Sequence, residues 1–262
     1  MAQFDQLLPV REGHFGDTLR VLVGRELRIR YKGSFFGILW AVLTPLATVV
    51  ILQFLFTKLL RFTIPHFAVF LYAGLLPWTW FQSALQTGAM TLIENRDLVR
   101  TPFFAKPLLP GAVTCTNFIL YLLALPIFLG LMMADGVPFT RALVALPLVW
   151  AVQGILVLGF TLLIASIGVL VRDIAHLMVV ILTFWFYLTP IFYDLTQIPP
   201  ESARWLSFNP MAAIITAHRA VTMYGKLPDW LALGYVTLVS TALLAVSLVI
   251  FRTLEDAFID EV

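Results

Sequence analysis

The stretch RELRIRYKGSFFGILWAVLTPLATVVILQFLFTKLL, residues 25–60, leads from a basic segment directly into a long apolar run. The apolar part, Phe35–Leu60, carries a single charged residue, Lys58. A helix that crosses a bilayer needs about 20 consecutive apolar residues. Because the run exceeds that length, it predicts a membrane-spanning helix that follows a cationic segment.

Composition extends this prediction to the whole chain. Of the 262 residues, 60% are hydrophobic and 12% are charged, whereas soluble domains are about half apolar and a quarter charged. The excess apolar surface needs lipid as its solvent, and helices satisfy their own backbone groups there. We therefore expect an all-α membrane protein. A net charge of +2 is too small to indicate nucleic acid, and a single cysteine, Cys115, allows no disulfide within the chain.

Six apolar runs are long enough to cross the membrane. They cover about residues 35–60, 67–85, 112–133, 143–171, 175–193 and 231–251. Residues 1–34 have ten charges, six basic and four acidic, and they lack the apolar core of a signal peptide. We expect a cytoplasmic segment, 1–34, followed by a single transmembrane domain, 35–262.

The distribution of Lys and Arg predicts the orientation. With a cytoplasmic N-terminus, the inside segments hold six (1–34), three (93–107), Arg172 and Arg252, which makes 11 of the 17. The outside segments hold the other six. Because basic residues accumulate on the cytoplasmic side, we expect both termini in the cytoplasm.

Three segments outside the spans have a pattern of their own. Residues 14–34 form an amphipathic helix with an apolar face of Leu19, Leu22, Val23 and Leu27, which suits either a membrane interface or a simple positive-inside anchor. The loop 93–107 is polar and could be a plain solvated loop. In 194–230, Asn209-Pro210 predicts a helix start. Two short helices, 200–208 and 211–224, would dip into the outer leaflet or lie flat on it.

Residue patterns that the sequence lacks argue against several classes of function. The spans are nearly free of ionisable residues, which disfavours an ion-coupled carrier. The chain has no glycine-rich phosphate loop, and its four histidines lack metal-ligand spacing. A membrane enzyme would have to use the outer segment, which holds Asp194, Glu201, Arg204, His218 and Arg219.

Aromatic residues make up 14% of the chain, and many cluster in the first, second and fifth spans. An interfacial belt accounts for most of them. The alternative is a translocation pathway lined by aromatic faces, against which the C–H faces of sugars would pack.

Several motifs occur in a specific order. They are Arg28–Trp40 with Pro45, Gly74–Trp78, Glu94–Leu98, Val171–Ile174, and Thr189–Tyr193 followed by Asn209-Pro210-Met211. Together they resemble the ABC type-2 permeases that export polysaccharides such as O-antigen, capsule and teichoic acid. At Lys106-Pro107 the sequence looks more like the capsule branch of that family, while the rest looks more like the O-antigen branch. A drug or lipid exporter of the same fold is the competing interpretation.

The resemblance implies a homodimer in the bacterial inner membrane, with a separate ATPase subunit that binds ATP and Mg²⁺, so this chain would hold no cofactor. It implies a gate helix whose residues meet the headgroup of a lipid-linked polysaccharide: Arg25, Arg28, Arg30, Tyr31 and Lys32. It implies a coupling helix that docks into the ATPase: Glu94, Asn95, Arg96, Asp97, Arg100 and Lys106. It also raises as pore-lining candidates Trp40, Phe184, Trp185 and Tyr187. Arg28, Arg30 and Lys32 would attract the pyrophosphate of the cargo.

Overall fold

A computed structural model describes residues 15–59, 64–171, 173–255 and 258. Within these residues the regular secondary structure is helical, as the apolar composition predicts. The eleven α-helices that it contains are α1 (Phe15–Tyr31), α2 (Trp40–Gln53), α3 (Phe67–Gly88), α4 (Thr91–Glu94), α5 (Arg96–Val99), α6 (Leu108–Ala134), α7 (Leu146–Leu170), α8 (Ile174–Tyr187), α9 (Pro200–Leu206), α10 (Pro210–Thr222) and α11 (Trp230–Thr253).

Four helical segments are long and apolar enough to cross a membrane. They are Gly37–Leu59, in which short 3₁₀ and π turns flank α2, Leu108–Ala134, Arg141–Leu170 and Trp230–Thr253. These correspond to the first, third, fourth and sixth predicted spans. The chain is therefore a multi-pass membrane protein, while the count of six spans stays a prediction.

The second predicted span, 67–85, corresponds to α3, which is the central helix of the protein. It has 22 residues, of which 16 are buried, including Trp78 and Phe81. The helices α2, α6, α7 and α10 all pack around it. Its surroundings are therefore other helices rather than lipid.

The fifth predicted span, 175–193, corresponds to α8, but the helix is shorter than the predicted run. Helix α8 ends at Tyr187, because a residue before proline avoids the α conformation and Thr189 precedes Pro190. Its 14 residues cover about 21 Å at 1.5 Å per residue. That is less than a hydrocarbon core of about 30 Å. Leu188 and Thr189 still donate to Phe184 and Phe186, and the helical pattern ends there.

Two apolar clusters hold the helices together. The larger joins α3 to α2, α6, α7, α8, α10 and α11. The smaller lies at the end of the molecule that carries α1, α4 and α5, which we call the α1 end, and it joins α1, α4, α5, α6, α7, α11 and Phe258. The predicted apolar face of α1 packs into this smaller cluster, with Leu22 and Val23 buried and Leu19 and Leu27 against it. At the opposite end, the α10 end, lie α9 and α10.

Candidate functional site

The basic residues of α1 fall into two groups with different surroundings. Arg28 and Lys32 are exposed, and the Arg28 Nε donates only to the backbone oxygen of Gly24, 3.1 Å away. Arg25 is partly buried, and its Nε is enclosed. Two cations of the predicted gate helix thus remain available to a partner outside the chain.

Arg30 points into the helix bundle instead. Its two terminal nitrogens donate to Asn117 Oδ1 on α6 and to Thr87 Oγ1 on α3, each at 2.9 Å. Glu26, one turn earlier on α1, lies 3.7 Å from the same guanidinium. Because Asn117 is only 2% exposed, these bonds tie the C-terminal end of α1 to the interior.

A cavity of about 230 Å³ adjoins Arg30. It is bounded by α1, α2, α3 and α6, and it combines a guanidinium with hydroxyl groups and aromatic rings: Arg30, Tyr31, Trp40, Thr44, Thr79, Ser83, Asn117 and Tyr121, among others. Burial raises the pKa of the Tyr31 phenol, and the neighbouring Arg30 partly opposes that rise, so the hydroxyl stays neutral. The site can bind polar or anionic groups and can stack rings.

The connection between α1 and α2 contains two glycines with positive φ. Gly33 has φ +75° and Gly37 has φ +52°, a region that residues with a side chain adopt at a cost. Between them Phe35 is 95% exposed, so this connection packs little against the rest of the protein. It can therefore serve as a joint between α1 and the first span.

The predicted coupling residues lie on the surface of the short helices α4 and α5, with two exceptions. Glu94, Arg96, Asp97 and Arg100 are exposed, whereas Asn95 is partly buried and its Nδ2 donates to the Thr91 backbone oxygen at 2.7 Å. Neighbouring protein atoms partly desolvate the Glu94 carboxyl although its side chain reaches the surface, and this desolvation, followed by the charge of Glu26, raises its pKa. This proximity brings the predicted coupling loop next to α1.

Lys106 is the other exception. Its side chain is 8% exposed, and its Nζ lies 3.0 Å from Glu255 Oε1, which follows α11. Its chain neighbours Phe104 and Leu108 belong to the smaller apolar cluster. The structure therefore places Lys106 inside the protein, where it joins the loop after α5 to the C-terminal end of α11.

The four pore-lining candidates do not share one surface. Trp40, Phe184 and Tyr187 are 48%, 68% and 62% exposed. The Trp185 ring, by contrast, packs on Phe81 at 5.0 Å and its Nε1 donates to Asn209 Oδ1 at 2.9 Å. Three of the candidates thus face outward on α2 and α8, while the fourth faces the interior.

Sequence reasoning missed the role of Arg219 on α10. It is 3% exposed, and it donates to the backbone oxygens of Pro190 at 2.6 Å and Ile191 at 2.5 Å. Its guanidinium also lies 3.4 Å from the centroid of the Phe70 ring. Arg219 therefore supplies the hydrogen bonds that the chain loses where α8 stops.

The residues that suggested a membrane enzyme do not converge on one site. His218 and Arg219 are buried, whereas Glu201 and Arg204 are exposed on α9. His218 Nε2 lies 2.8 Å from the Tyr121 hydroxyl, within the helix bundle. Among the described residues no group of three or more His, Cys, Asp and Glu side chains could hold a metal ion. Arg172, which the orientation count used, lies outside the described residues.

Known proteins match almost the full length of the chain. The sequence model of the ABC-2 type transporter family matches residues 17–223. The O-antigen export system permease protein RfbA of Myxococcus xanthus is 38% identical over 243 residues, which are 92% of this chain and 94% of the relative. A Klebsiella pneumoniae protein of the same name is 28% identical over 94% of this chain and 95% of its own. The polysialic acid transport protein KpsM of Escherichia coli is 26% identical, with 92% and 95% covered.

Proposed function

The chain belongs to the ABC-2 type transporter family, and from this premise we propose that it is the membrane permease of an ATP-driven exporter of a lipid-linked polysaccharide. The observation that carries the proposal is the full-length similarity to an O-antigen export system permease at 38% identity. The ordered sequence motifs and the helical secondary structure of the described residues agree with it. The chain is a transporter subunit and not an enzyme, because its relatives are named as permeases and transport proteins.

The cargo meets the protein at the α1 end. Arg28 and Lys32 are exposed cations on a helix that suits the headgroup level, and cations at that level attract phosphate groups. The cavity beside Arg30 adds a partly buried guanidinium, hydroxyl groups and the Trp40 ring. The pyrophosphate would bind the exposed cations first, and the adjoining sugar would contact the cavity.

A second subunit supplies ATP hydrolysis. The family implies an ATPase partner, and we place its docking surface on α4 and α5, where Glu94, Arg96, Asp97 and Arg100 are exposed. ATP and Mg²⁺ would be bound by that partner. Lys106 would act from inside, by holding the coupling loop on the smaller apolar cluster.

The pathway would form between two copies of the chain. Helices α2 and α8 present exposed aromatic and aliphatic side chains, including Trp40, Phe184 and Tyr187. Two such surfaces facing each other would form a corridor with aromatic walls, along which a sugar chain could move by successive weak contacts. We assign both termini to the cytoplasm of a bacterial cell and the protein to its inner membrane.

Copurification tests the proposal directly. The chain is extracted from its own membrane in mild detergent, and the retained proteins are identified by mass. A soluble ATPase retained in equal amount would support the exporter, and its absence even with nucleotide trapped would contradict it.

Variants of α1 test the cargo. Loss of two cations at the headgroup level weakens phosphate attraction by about 25-fold, at roughly fivefold for each. We therefore expect Arg28→Ala with Lys32→Ala to reduce surface polysaccharide several-fold while the ATPase stays bound. The matched control is Arg141→Ala with Lys226→Ala, two exposed cations toward the α10 end. Equal export in both double variants would exclude the role of α1 in cargo binding.

A further inference from the structure

A long apolar groove runs along α7, between α6 and α11. Both α6 and α11 pack against α7, and the groove between them has a volume of about 740 Å³, within the range of pockets that hold small ligands. Its floor follows α7 from Pro147 to Leu162, with Ala151 and Gly154 between them. Small residues on this face of α7 leave the space that larger side chains would fill.

The groove has the length of a lipid chain. Pro147 and Leu162 are 15 residues apart on the same helix, which is about 22 Å at 1.5 Å per residue. One leaflet of hydrocarbon is about 15 Å, half of a core of roughly 30 Å. An extended hydrocarbon chain lying along α7 would therefore stay inside the groove over most of its length.

The walls offer almost no hydrogen bonds to a ligand. The Trp150 Nε1 donates to the Tyr121 hydroxyl at 2.8 Å, and the Trp80 Nε1 donates to the Thr114 backbone oxygen at 3.3 Å. The Thr114 hydroxyl in turn donates to the Pro110 oxygen at 3.0 Å. Because these polar groups already have partners, a sugar or a peptide would lose its own hydrogen bonds to water on binding. A hydrocarbon chain would lose none.

One end of the groove carries a cation. Arg252, in the last turn of α11, lines the groove at the α1 end, together with Phe15 and Leu19 of α1. Its side chain is exposed, and none of the ion pairs among the described residues includes it. A cation beside an apolar groove is complementary to a molecule with an anionic head and a hydrocarbon tail.

We propose that this groove binds one anionic phospholipid, with an acyl chain along α7 and its phosphate against Arg252. No described residue of α2 or α8 lines the groove, although the Trp80 ring separates it from the cavity beside Arg30 by lining both. Leu19 of α1 lies against Gly111 on its wall. The bound lipid would therefore contact α1, α6 and α11 together and hold them in place. Binding of this lipid does not depend on which cargo the protein exports.

Native mass spectrometry of the full-length chain, purified with any subunits that it retains, measures the bound lipid. With phosphatidylglycerol and phosphatidylcholine supplied equally, we expect phosphatidylglycerol to be retained about fivefold more, the effect of one basic side chain at the headgroup. Ala151→Trp fills the groove at an exposed position and should remove the bound lipid, whereas Ala242→Trp, exposed on α11 outside the groove, should not. Arg252→Gln should abolish the preference for phosphatidylglycerol, and Arg141→Gln should leave it intact.

The unaltered protein provides a second measurement. Cys115, the only cysteine of the chain, lines the groove, so a lipid-soluble maleimide should modify it more slowly in phosphatidylglycerol than in phosphatidylcholine nanodiscs. Equal retention of the two lipids, or equal modification rates, would mean ordinary bilayer contact and would overturn the proposal. Cross-linking of two chains through Cys115 by a short bis-maleimide would instead assign the groove to a second copy, and would overturn it as well.

Discussion

The two ends of the molecule are held together by different interactions. At the α10 end, the buried Arg219 and the partly buried Asn209 make directional hydrogen bonds to backbone oxygens. At the α1 end, the smaller apolar cluster joins α1 to α4, α5, α6, α7 and α11, and the ion pair of Lys106 with Glu255 adds to it.

This difference indicates which end moves. A hydrogen bond weakens steeply when its distance and angle change, whereas apolar contact is non-directional. The α10 end is therefore suited to a fixed geometry. A shift of the α1 end would mostly rearrange apolar contacts, although it would strain the bonds of Arg30 and the ion pair of Lys106. An ATPase acting on α4 and α5 would thus move α1 as well, with the connection at Gly33 and Gly37 as the joint.

Removal of Arg219 should give the largest effect. Arg219→Met leaves the Pro190 and Ile191 oxygens buried without their donor, and an unpaired buried group costs about 1–3 kcal/mol. We expect the free energy of unfolding to fall by about 3 kcal/mol, measured by denaturant unfolding in detergent micelles. Arg204→Met, at an exposed position of α9, is the control. Equal stability of the two variants would contradict a fixed α10 end.

A change at Asn209 should give the next largest effect. Its Oδ1 accepts from the Met211 backbone N–H at 3.0 Å and from Trp185 at 2.9 Å, and its Nδ2 donates to Thr189 Oγ1 at 3.0 Å. Asn209→Ala loses the helix cap, worth about 1 kcal/mol, and leaves the Trp185 N–H unpaired. We expect a loss of about 2 kcal/mol in the free energy of unfolding.

Asn209→Asp separates these contributions, because it keeps the acceptor and loses the donor. Its unfolding free energy should lie between those of the natural chain and Asn209→Ala. If the aspartate variant were as unstable as the alanine variant, the cap and the bond to Trp185 would contribute nothing.

The comparison also shows what the sequence could predict. Apolar runs located α2, α6, α7 and α11, because length and composition alone decide whether a helix suits a bilayer. Asn209-Pro210 located the start of α10 correctly, since a cap is a local interaction. The apolar face of α1 was also predicted. The sequence suggested that it would lie on the membrane, whereas in the structure it packs into the smaller apolar cluster.

Some features of the structure had a signal in the sequence. Arg28 and Arg30 are two residues apart, about 200° around a helix at 100° per residue, which agrees with their different surroundings. Pro190 marked the end of α8. Other features had no signal in the sequence. The residues around the buried Arg219 look like those around an arginine at the membrane interface, and its partners are backbone oxygens distant in sequence. The inward position of Trp185 likewise depends on Asn209, 24 residues later.

The ion pair at the α1 end should show an asymmetric response. Lys106 is 8% exposed and Glu255 is 39% exposed, so the loss of Glu255 leaves a buried cation, whereas the loss of Lys106 leaves a carboxylate that water can reach. We expect Glu255→Gln to cost about 1–2 kcal/mol in unfolding free energy and Lys106→Met less than about 1 kcal/mol. A double-mutant cycle measures the coupling. The opposite order would show that Glu255, rather than Lys106, is the buried partner.

The smallest effect should be a pH dependence at the contact of α4 with α1. Burial and the charge of Glu26 raise the pKa of Glu94 above its ordinary value of 4.5. At a pH between 4.5 and the raised pKa, Glu94 is protonated in the folded protein and ionised in the unfolded chain. Stability is therefore full below pH 4.5 and falls as the pH rises through the raised pKa. Glu94→Gln cannot ionise and should not show this fall, while Glu26→Gln should make it smaller. Unfolding midpoints of the three proteins, measured from pH 4.5 upward, provide the comparison. If the unfolding midpoints of the natural chain and of Glu94→Gln differed by a constant amount over that range, the α4–α5 loop and α1 would not be electrostatically coupled.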